Sequence, residues 1–339
     1  MRRGIGTGLA VAFAAAGALV SGQGRNADDL LAGARKALGG DKLAAVKSLT
    51  GVGRTLRATA AGTSMEAEFE MALELPDKYL MRSVMAAMGN MSVYRNTGFN
   101  GTQAIDEIDR PPNLQGGNIV IRVAGPGGSA VDPAKMTDEQ KAEMNQRRVL
   151  ANKKEFARLA LGMFAASPAV FPLTFADGGQ AESADGKADV IDVKGEDGFT
   201  GRLFIDAATH LPLMLSWMDR EPLVMQMGPG GAVTAGGGVA MTTITRSGPP
   251  AGSPGSAGNL SPEEREKFMK DLEARRKEAE AKLRTVEYRV FYGDYRSVGG
   301  VLLPHRIQRS IDGKPTEEMI VEAFKVNPRI DAKKFQATK

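Results

Sequence analysis

Between Met65 and Leu75 the chain alternates almost without a break: Met65, Ala67, Phe69, Met71, Leu73 and Leu75 are apolar, and Glu66, Glu68, Glu70, Ala72 and Glu74 fall between them. A period of two predicts a strand with one wet face and one buried face. Pro76 and Asp77 turn it into a second strand, Lys78 to about Met88. Asn90 to Thr97 gives a third, and Gly98, Phe99, Asn100 and Gly101 reverse it into Thr102 to Ile105. This is a meander. Further strands are predicted over 188–194, 199–206, 211–218, 285–292, 301–311 and 316–324.

Two hairpins repeat one plan. Ile205 to Leu213 reads as a strand end, a polar turn around Asp206 and Thr209, and a Leu211-Pro212 return; Tyr292 to Pro304 repeats it with a longer turn. Proline has no ladder donor, so it opens a returning strand or sits at an edge. Hairpins of this kind build a broad antiparallel sheet.

Helix signals appear at four places. Asp28 and Asp29 fall in the first turn of a helix whose Leu30, Leu31, Ala34 and Leu38 share a face, and Gly39 with Gly40 ends it. Asp41 caps a short second helix through Val46. Thr137 with Gln140 forms a capping box ahead of a stripe made by Val149, Phe156, Ala160 and Met163. Ser261 with Glu264 opens a charged helix to about Arg284, laced by Glu263-Lys267, Glu266-Lys270, Glu273-Lys277, Glu278-Lys282 and Glu280-Arg284. Its apolar edge is thin, as on a solvated rim helix. Gly125-Pro126-Gly127-Gly128 and Gly228-Pro229-Gly230-Gly231 mark inserted material, about 112–165 and 226–284, within one domain over 23–339.

Arg2 and Arg3, the apolar run Leu9 to Val20, and the small residues Ser21 and Gly22 read as a signal peptide over 1–22, with the mature chain starting near Gln23. The run is too short and too rich in Ala and Gly to favour a spanning helix, and no later segment is apolar enough to cross a bilayer. Cysteine is absent, so the exported fold is expected to rely on its core alone, without an amino-terminal lipid on cysteine. Without residues 1–22, which hold two arginines and no acid, 42 basic side chains face 40 acidic ones, a net charge of +2 in place of +4. That balance argues against nucleic acid as a partner.

Candidate chemistry is sparse. A thiol nucleophile is impossible, no Gly-x-Ser-x-Gly elbow occurs, and His210 and His305, the 2 histidines, lack metal-ligand spacing. The Glu66, Glu68, Glu70 row lies on a wet strand face with no cleft to shift its pKa values. No metal or cofactor is expected. Methionine is prominent at 17 residues, and Met65, Met71, Met81, Met85, Met88 and Met91 fall in the first strands. Such side chains either fill gaps in a core or line a surface that accepts apolar partners of variable shape.

Five phrases occur in a fixed order after the export segment: Leu75-Pro76-Asp77-Lys78-Tyr79; Gly98-Phe99-Asn100-Gly101; Ile205-Asp206 with Thr209, Leu211 and Pro212; Asp294-Tyr295-Arg296 with Gly300, Leu303 and Pro304; and Phe324-Lys325-Val326-Asn327-Pro328 with Ile330, Asp331 and Phe335. Together they resemble the outer-membrane lipoprotein-sorting, or LolA-like, superfamily. The resemblance implies an α+β, mainly antiparallel fold: a half-open β-barrel whose concave face is covered by helices and encloses an apolar cavity. It further implies a non-catalytic periplasmic carrier of the acyl chains of a lipoprotein or lipid, with membrane-bound donor and acceptor proteins as possible partners.

Side-chain parity places Met65, Phe69, Met71 and Leu73 on the cavity side, with Leu203 and Ile205 from one later strand and Leu213, Leu215 and Trp217 from another. The candidate cover is the helix carrying Phe156, Leu159, Ala160, Met163 and Phe164. The rival expectations are an envelope-stress sensor or other interaction module on the same half-barrel and, last, a secreted enzyme with an unrecognised site.

Overall fold

The computed structural model describes residues 26–58, 64–88, 91–109, 136–183, 186–227, 233–237 and 262–336. The segment expected to be a signal peptide and both Gly-Pro-Gly-Gly stretches lie outside them. Helices α1 (Ala27–Leu38) and α2 (Asp41–Ala44) lead into a first meander: β1 (Ser48–Ala58), β2 (Ser64–Glu74), β3 (Lys78–Met88), β4 (Met91–Asn100) and β5 (Gln103–Asp109). After α3 (Asp138–Phe164) a second run begins with β6 (Leu173–Ser183), β7 (Gly186–Gly195), β8 (Thr200–Asp206) and β9 (Pro212–Arg220). A small hairpin, β10 (Leu223–Met227) and β11 (Val233–Gly237), precedes α4 (Pro262–Ala281). The chain closes with β12 (Thr285–Val298), β13 (Val301–Ile311), β14 (Lys314–Val326) and a 3-10 turn over Ala332–Phe335.

Twelve strands form one antiparallel sheet in the order β5-β4-β3-β2-β1-β14-β13-β12-β9-β8-β7-β6. The first and last strands of the domain, β1 and β14, pair at its middle, and the two meanders run outward from that seam. The edges β5 and β6 do not meet, so the barrel stays open, as the family resemblance implies.

Helix α3 reaches both limbs of the sheet over a short length: Asn152 bonds to β4 and the Arg158 carbonyl to β12. Six helical residues cover about 9 Å, whereas the six strand spacings from β4 to β12 would span about 29 Å in a flat sheet. The sheet therefore curves around the helix. Near one edge Asn145 Nδ2 donates to the Thr102 carbonyl at 2.9 Å and Asn152 Nδ2 to Gly98 at 2.6 Å. Toward the other, Tyr292 Oη donates to the Arg158 carbonyl at 2.7 Å, and Tyr295 Oη is shared between Gly162 at 3.0 Å and Pro212 at 2.8 Å. Register shifts at Val52/Gly53, Val84/Ala86 and Phe204/Ile205 add the local bends that curvature needs.

The concave face and the buried side of α3 form one core. Leu49, Phe69, Met71, Leu73 and Phe99 meet Phe156, Leu161 and Met163, and α1 closes the end with Leu31, Ala34 and Leu38. Tyr79 and Phe99 both pack their rings on Phe156, at 5.3 and 5.8 Å between centroids. The convex face is wet apart from two patches, one of which the 3-10 turn covers by setting Phe335 against Ala72, Leu80 and Ile105.

Most predicted elements are present, and the capping box forms, with Thr137 Oγ1 accepting from Gln140 N at 3.2 Å. Five features differ. Gly98, Phe99 and Asn100 belong to β4, paired on both sides, so only Gly101 and Thr102 make the turn. Helix α2 has Gly40, not Asp41, in the capping position, makes no side-chain cap and ends at Ala44, short of Val46. Strand β6 joins the edge through its pairing with β7, although Ala176, Asp177, Gly178 and Gly179 have little strand propensity. Strand β12 runs on to Val298 and turns at Gly299-Gly300, both at positive φ, so the second hairpin turn is short rather than long. On α4, Glu273-Lys277 and Glu278-Lys282 pair at 3.0 and 2.6 Å, but Glu280 takes Arg276 at 2.7 Å and Arg284 reaches Glu221 at 2.7 Å.

Helix and sheet approach tightly at Gly162, where an added Cβ would fall 2.2 Å from the Tyr292 ring. Gly162→Ala is expected to destabilise by about 1–3 kcal/mol in urea titration. Gly33→Ala, whose Cβ would stand an ordinary 3.9 Å from His210, is expected to be neutral or to stabilise by up to about 1 kcal/mol. Equal effects at the two sites would contradict so tight a seat for α3.

Candidate functional site

The sheet positions expected to line a cavity mostly come together. Phe69, Met71, Leu73, Leu203, Ile205 and Leu215 are buried on the concave face, and Trp217 packs on the same core. Leu213 goes elsewhere: the β8/β9 register jumps from Met214 to Pro212, and Leu213 joins Phe204, Met214 and Phe291 in a separate convex-side cluster. Met65 is half-buried opposite Arg57 on β1. Phe156, Leu159, Ala160, Met163 and Phe164 are all buried. Much of the hollow drawn by parity is thus occupied by α3 itself.

The concave face has two chemical zones. From the β1/β2 end it is apolar, but further along it carries a row of charges. Arg57 pairs with Glu317 at 2.9 Å, and Glu155 of α3 accepts from Arg309 of β13 at 2.8 Å and from Arg158. The Arg158 guanidinium lies 4.1 Å from the Trp217 ring centre, which is stacked in turn on Tyr288. Burial pushes the Glu155 carboxyl up, but Arg309 and Arg158 outweigh it and hold its pKa at about 2. Burial also raises the Tyr79 and Tyr292 hydroxyls, so they stay protonated.

Free space with apolar walls remains at the other end. A cavity of about 490 Å³ opens between the carboxyl end of α1, α2, the β2–β3 turn, the last turns of α3 and the segment after it. Leu43 and Val46 come from α2 and the residues after it, Leu75 and Pro76 from the turn, and Phe156, Ala160 and Phe164 from α3. Ala166, Ser167, Pro168 and Ala169 close one side, and Arg35 and Lys36 stand on the α1 side. Three of the five helix positions anticipated from sequence are on its wall. The α1, α2 and post-helix contributors were not anticipated: Ala32, Ala44, Ala166 and Ala169 are small residues in short segments and leave no periodic signal.

A second cavity of about 530 Å³ lies on the convex side, lined by Arg54, Glu66, Glu68, Glu70, Arg82 and Glu322 among others. Its walls carry charges of both signs and suit no hydrocarbon. The histidines are far from catalytic geometry: His305 is buried with Nδ1 2.8 Å from the Val321 carbonyl, and His210 is exposed in a turn at φ 60°. Among the described residues no group of three His, Cys, Asp or Glu side chains could hold a metal ion.

No protein family and no curated protein matches the chain. Among solved structures it is similar to the LolA superfamily protein NE2245 from Nitrosomonas europaea, at 8% identity and TM-score 0.43, over 92% of this chain and 98% of that one. A domain from Vibrio parahaemolyticus described as outer membrane lipoprotein-sorting is similar at 10% identity and TM-score 0.40, over 91% of this chain and 97% of that one. A DUF1329 family protein from Desulfovibrio piger is similar at 7% identity and TM-score 0.43, over 92% and 97%.

The depressed Glu155 pKa fixes a sign. Because the fold favours the ionised form, its contribution is complete above the ordinary carboxylate pKa of about 4.3 and is lost as pH falls toward about 2. Glu155→Gln is therefore expected to be less stable than the parent at pH 7, with the difference shrinking across that window in denaturant titrations. A difference that does not change with pH would show that Arg309 and Arg158 do not hold the carboxylate.

Proposed function

We propose that this protein is an exported, non-catalytic carrier that shelters an acyl chain in the recess between α1, α2 and the end of α3. The observation that carries the reading is the recess itself, about 490 Å³ with walls of Leu43, Val46, Leu75, Phe156 and Phe164. Its size falls in the range of about 300–1,000 Å³ usual for small-molecule sites. Each methylene removed from water contributes about 0.8 kcal/mol, so a dozen supply on the order of 10 kcal/mol before ordering and association costs. Hydrocarbon needs no directed hydrogen bonds, which agrees with walls that are mostly Ala, Leu, Phe and Pro.

The ordered sequence phrases and the predicted signal peptide support a periplasmic carrier of lipid or lipoprotein acyl chains, received from one membrane-bound partner and passed to another. No helix among the described residues is long and apolar enough to cross a membrane. Phe156, Ala160 and Phe164 form the inner wall, and Phe69, Met71 and Leu73 form part of the core behind it. Loading that leaves α3 seated uses α1, α2 and 166–169 as the yielding side. Loading that lifts α3 exposes the sheet positions as well.

Protein purified from its own envelope is expected to release a stoichiometric acyl lipid into organic solvent, identified by mass spectrometry. Ala160→Trp, which fills the recess from its α3 wall, is expected to cut that yield at least about tenfold, while Leu302→Ala, half-buried on β13 away from the recess, leaves it unchanged. A parent protein that carries no lipid and binds no acylated probe would refute carriage.

A further inference from the structure

Resting on that reading, we infer that the cargo is a single-chain amphiphile with an anionic head, bound tail-inward with the head at Arg35 and Lys36. The walls of the recess hold these two cations and no acid. Elsewhere on the protein opposite charges interleave: Arg54 faces Glu66, Arg82 faces Asp109, Arg95 faces Asp106 and Arg306 faces Glu318. Among the described residues no carboxylate pairs with Arg35 or Lys36.

Arg35 has one structural duty. Helix α3 ends in a left-handed Ala165 with no basic residue in its last turn, and Arg35 Nη1 donates to the Ala165 carbonyl at 3.3 Å. That bond fixes the guanidinium at the wall of the recess and occupies one of its five N–H donors. The others remain available to a carboxylate or phosphate, for which guanidinium geometry is suited. Lys36 is exposed at the end of α1, where a cation also complements the helix dipole, and its ammonium adds a second positive charge next to the apolar walls. A neutral head would gain only ordinary hydrogen bonds from this pair, weaker than those of an anion, and a cationic head would be repelled. The volume suits one chain with a compact head.

The test uses the full-length protein, stripped of lipid and loaded with Nile red, a neutral apolar dye. Dodecanoate and dodecyl phosphate are expected to displace the dye about tenfold more tightly than dodecyl maltoside, and dodecyltrimethylammonium more weakly than either. Raising the salt is expected to narrow the gap, because exposed charges are screened beyond about 10 Å at 0.1 M. Lys36→Gln, at an exposed position, and Arg35→Gln with it, should lower affinity for the anions and leave dodecyl maltoside unchanged; the unchanged maltoside affinity also reports that the variants fold.

Equal displacement by anionic and neutral amphiphiles would overturn the head-group assignment and leave acyl carriage standing. No displacement by any of them would overturn both. Displacement by inorganic phosphate alone, or cosedimentation with anionic phosphatidylglycerol vesicles without any preference among the free amphiphiles, would also overturn it, in favour of a bare anion site or a membrane-facing patch.

Discussion

A helix whose attachment points lie closer together than the strands they hold would lie in a flat sheet sets the geometry of this protein. With α3 tied to β4 and β5 through Asn145 and Asn152, and to β12 through Tyr292 and Tyr295, the sheet has to curl until both limbs reach the same rod. Gly162 permits the closest contact, since any side chain there would overlap the Tyr292 ring. The tyrosine hydroxyls donate to helix carbonyls instead of replacing helix hydrogen bonds, so the rod stays intact while it is pinned. Curvature, the single core and the position of the recess follow from that seat.

The same seat explains why the hollow is not uniformly greasy. A half-barrel with a bare apolar trough would expose a large patch to water, which soluble proteins rarely tolerate. Here α3 fills the trough with Phe156, Leu161 and Met163, and along the rest of the face Arg57, Glu317, Arg309, Glu155 and Arg158 make it wettable. An isolated carboxylate there would be costly, but two guanidinium groups converge on Glu155. The remaining apolar space is pushed to the end where α1 and α2, rather than strands, supply the wall.

Sequence reasoning reached the sheet because strict alternation in Met65 to Leu75 ties identity to face, and it reached α3 because a capping box and an apolar stripe coincide. Parity states which face a residue takes, but not whether a helix of the same chain already covers it; hence Phe69, Met71 and Leu73 appear inside as expected, yet packed. Leu213 moved to the other side because one extra residue in β9 reverses parity, and the register shift has no signature in Leu213-Met214-Leu215. Strand β6 and the wall at 166–169 were invisible for a related reason. Asp177, Gly178 and Gly179, like Ala166, Ser167 and Ala169, take their positions from neighbours, not from their own propensities.

An open recess and a reversible carrier are one physical condition. If hydrocarbon were fully enclosed, release would require α3 to leave a core that it shares with both limbs of the sheet, including the Tyr79, Phe99 and Phe156 ring contacts and the Glu155 pairs. A recess at the helix end avoids that cost, because its outer wall is made of the four-residue α2 and the short stretch 166–169. A hydrocarbon cargo of the kind proposed would keep part of its surface near water there and be held less tightly than full burial would allow. On that proposal, acceptance by a membrane or a second protein would need only a drier site, and direction of transfer would follow from the difference in burial.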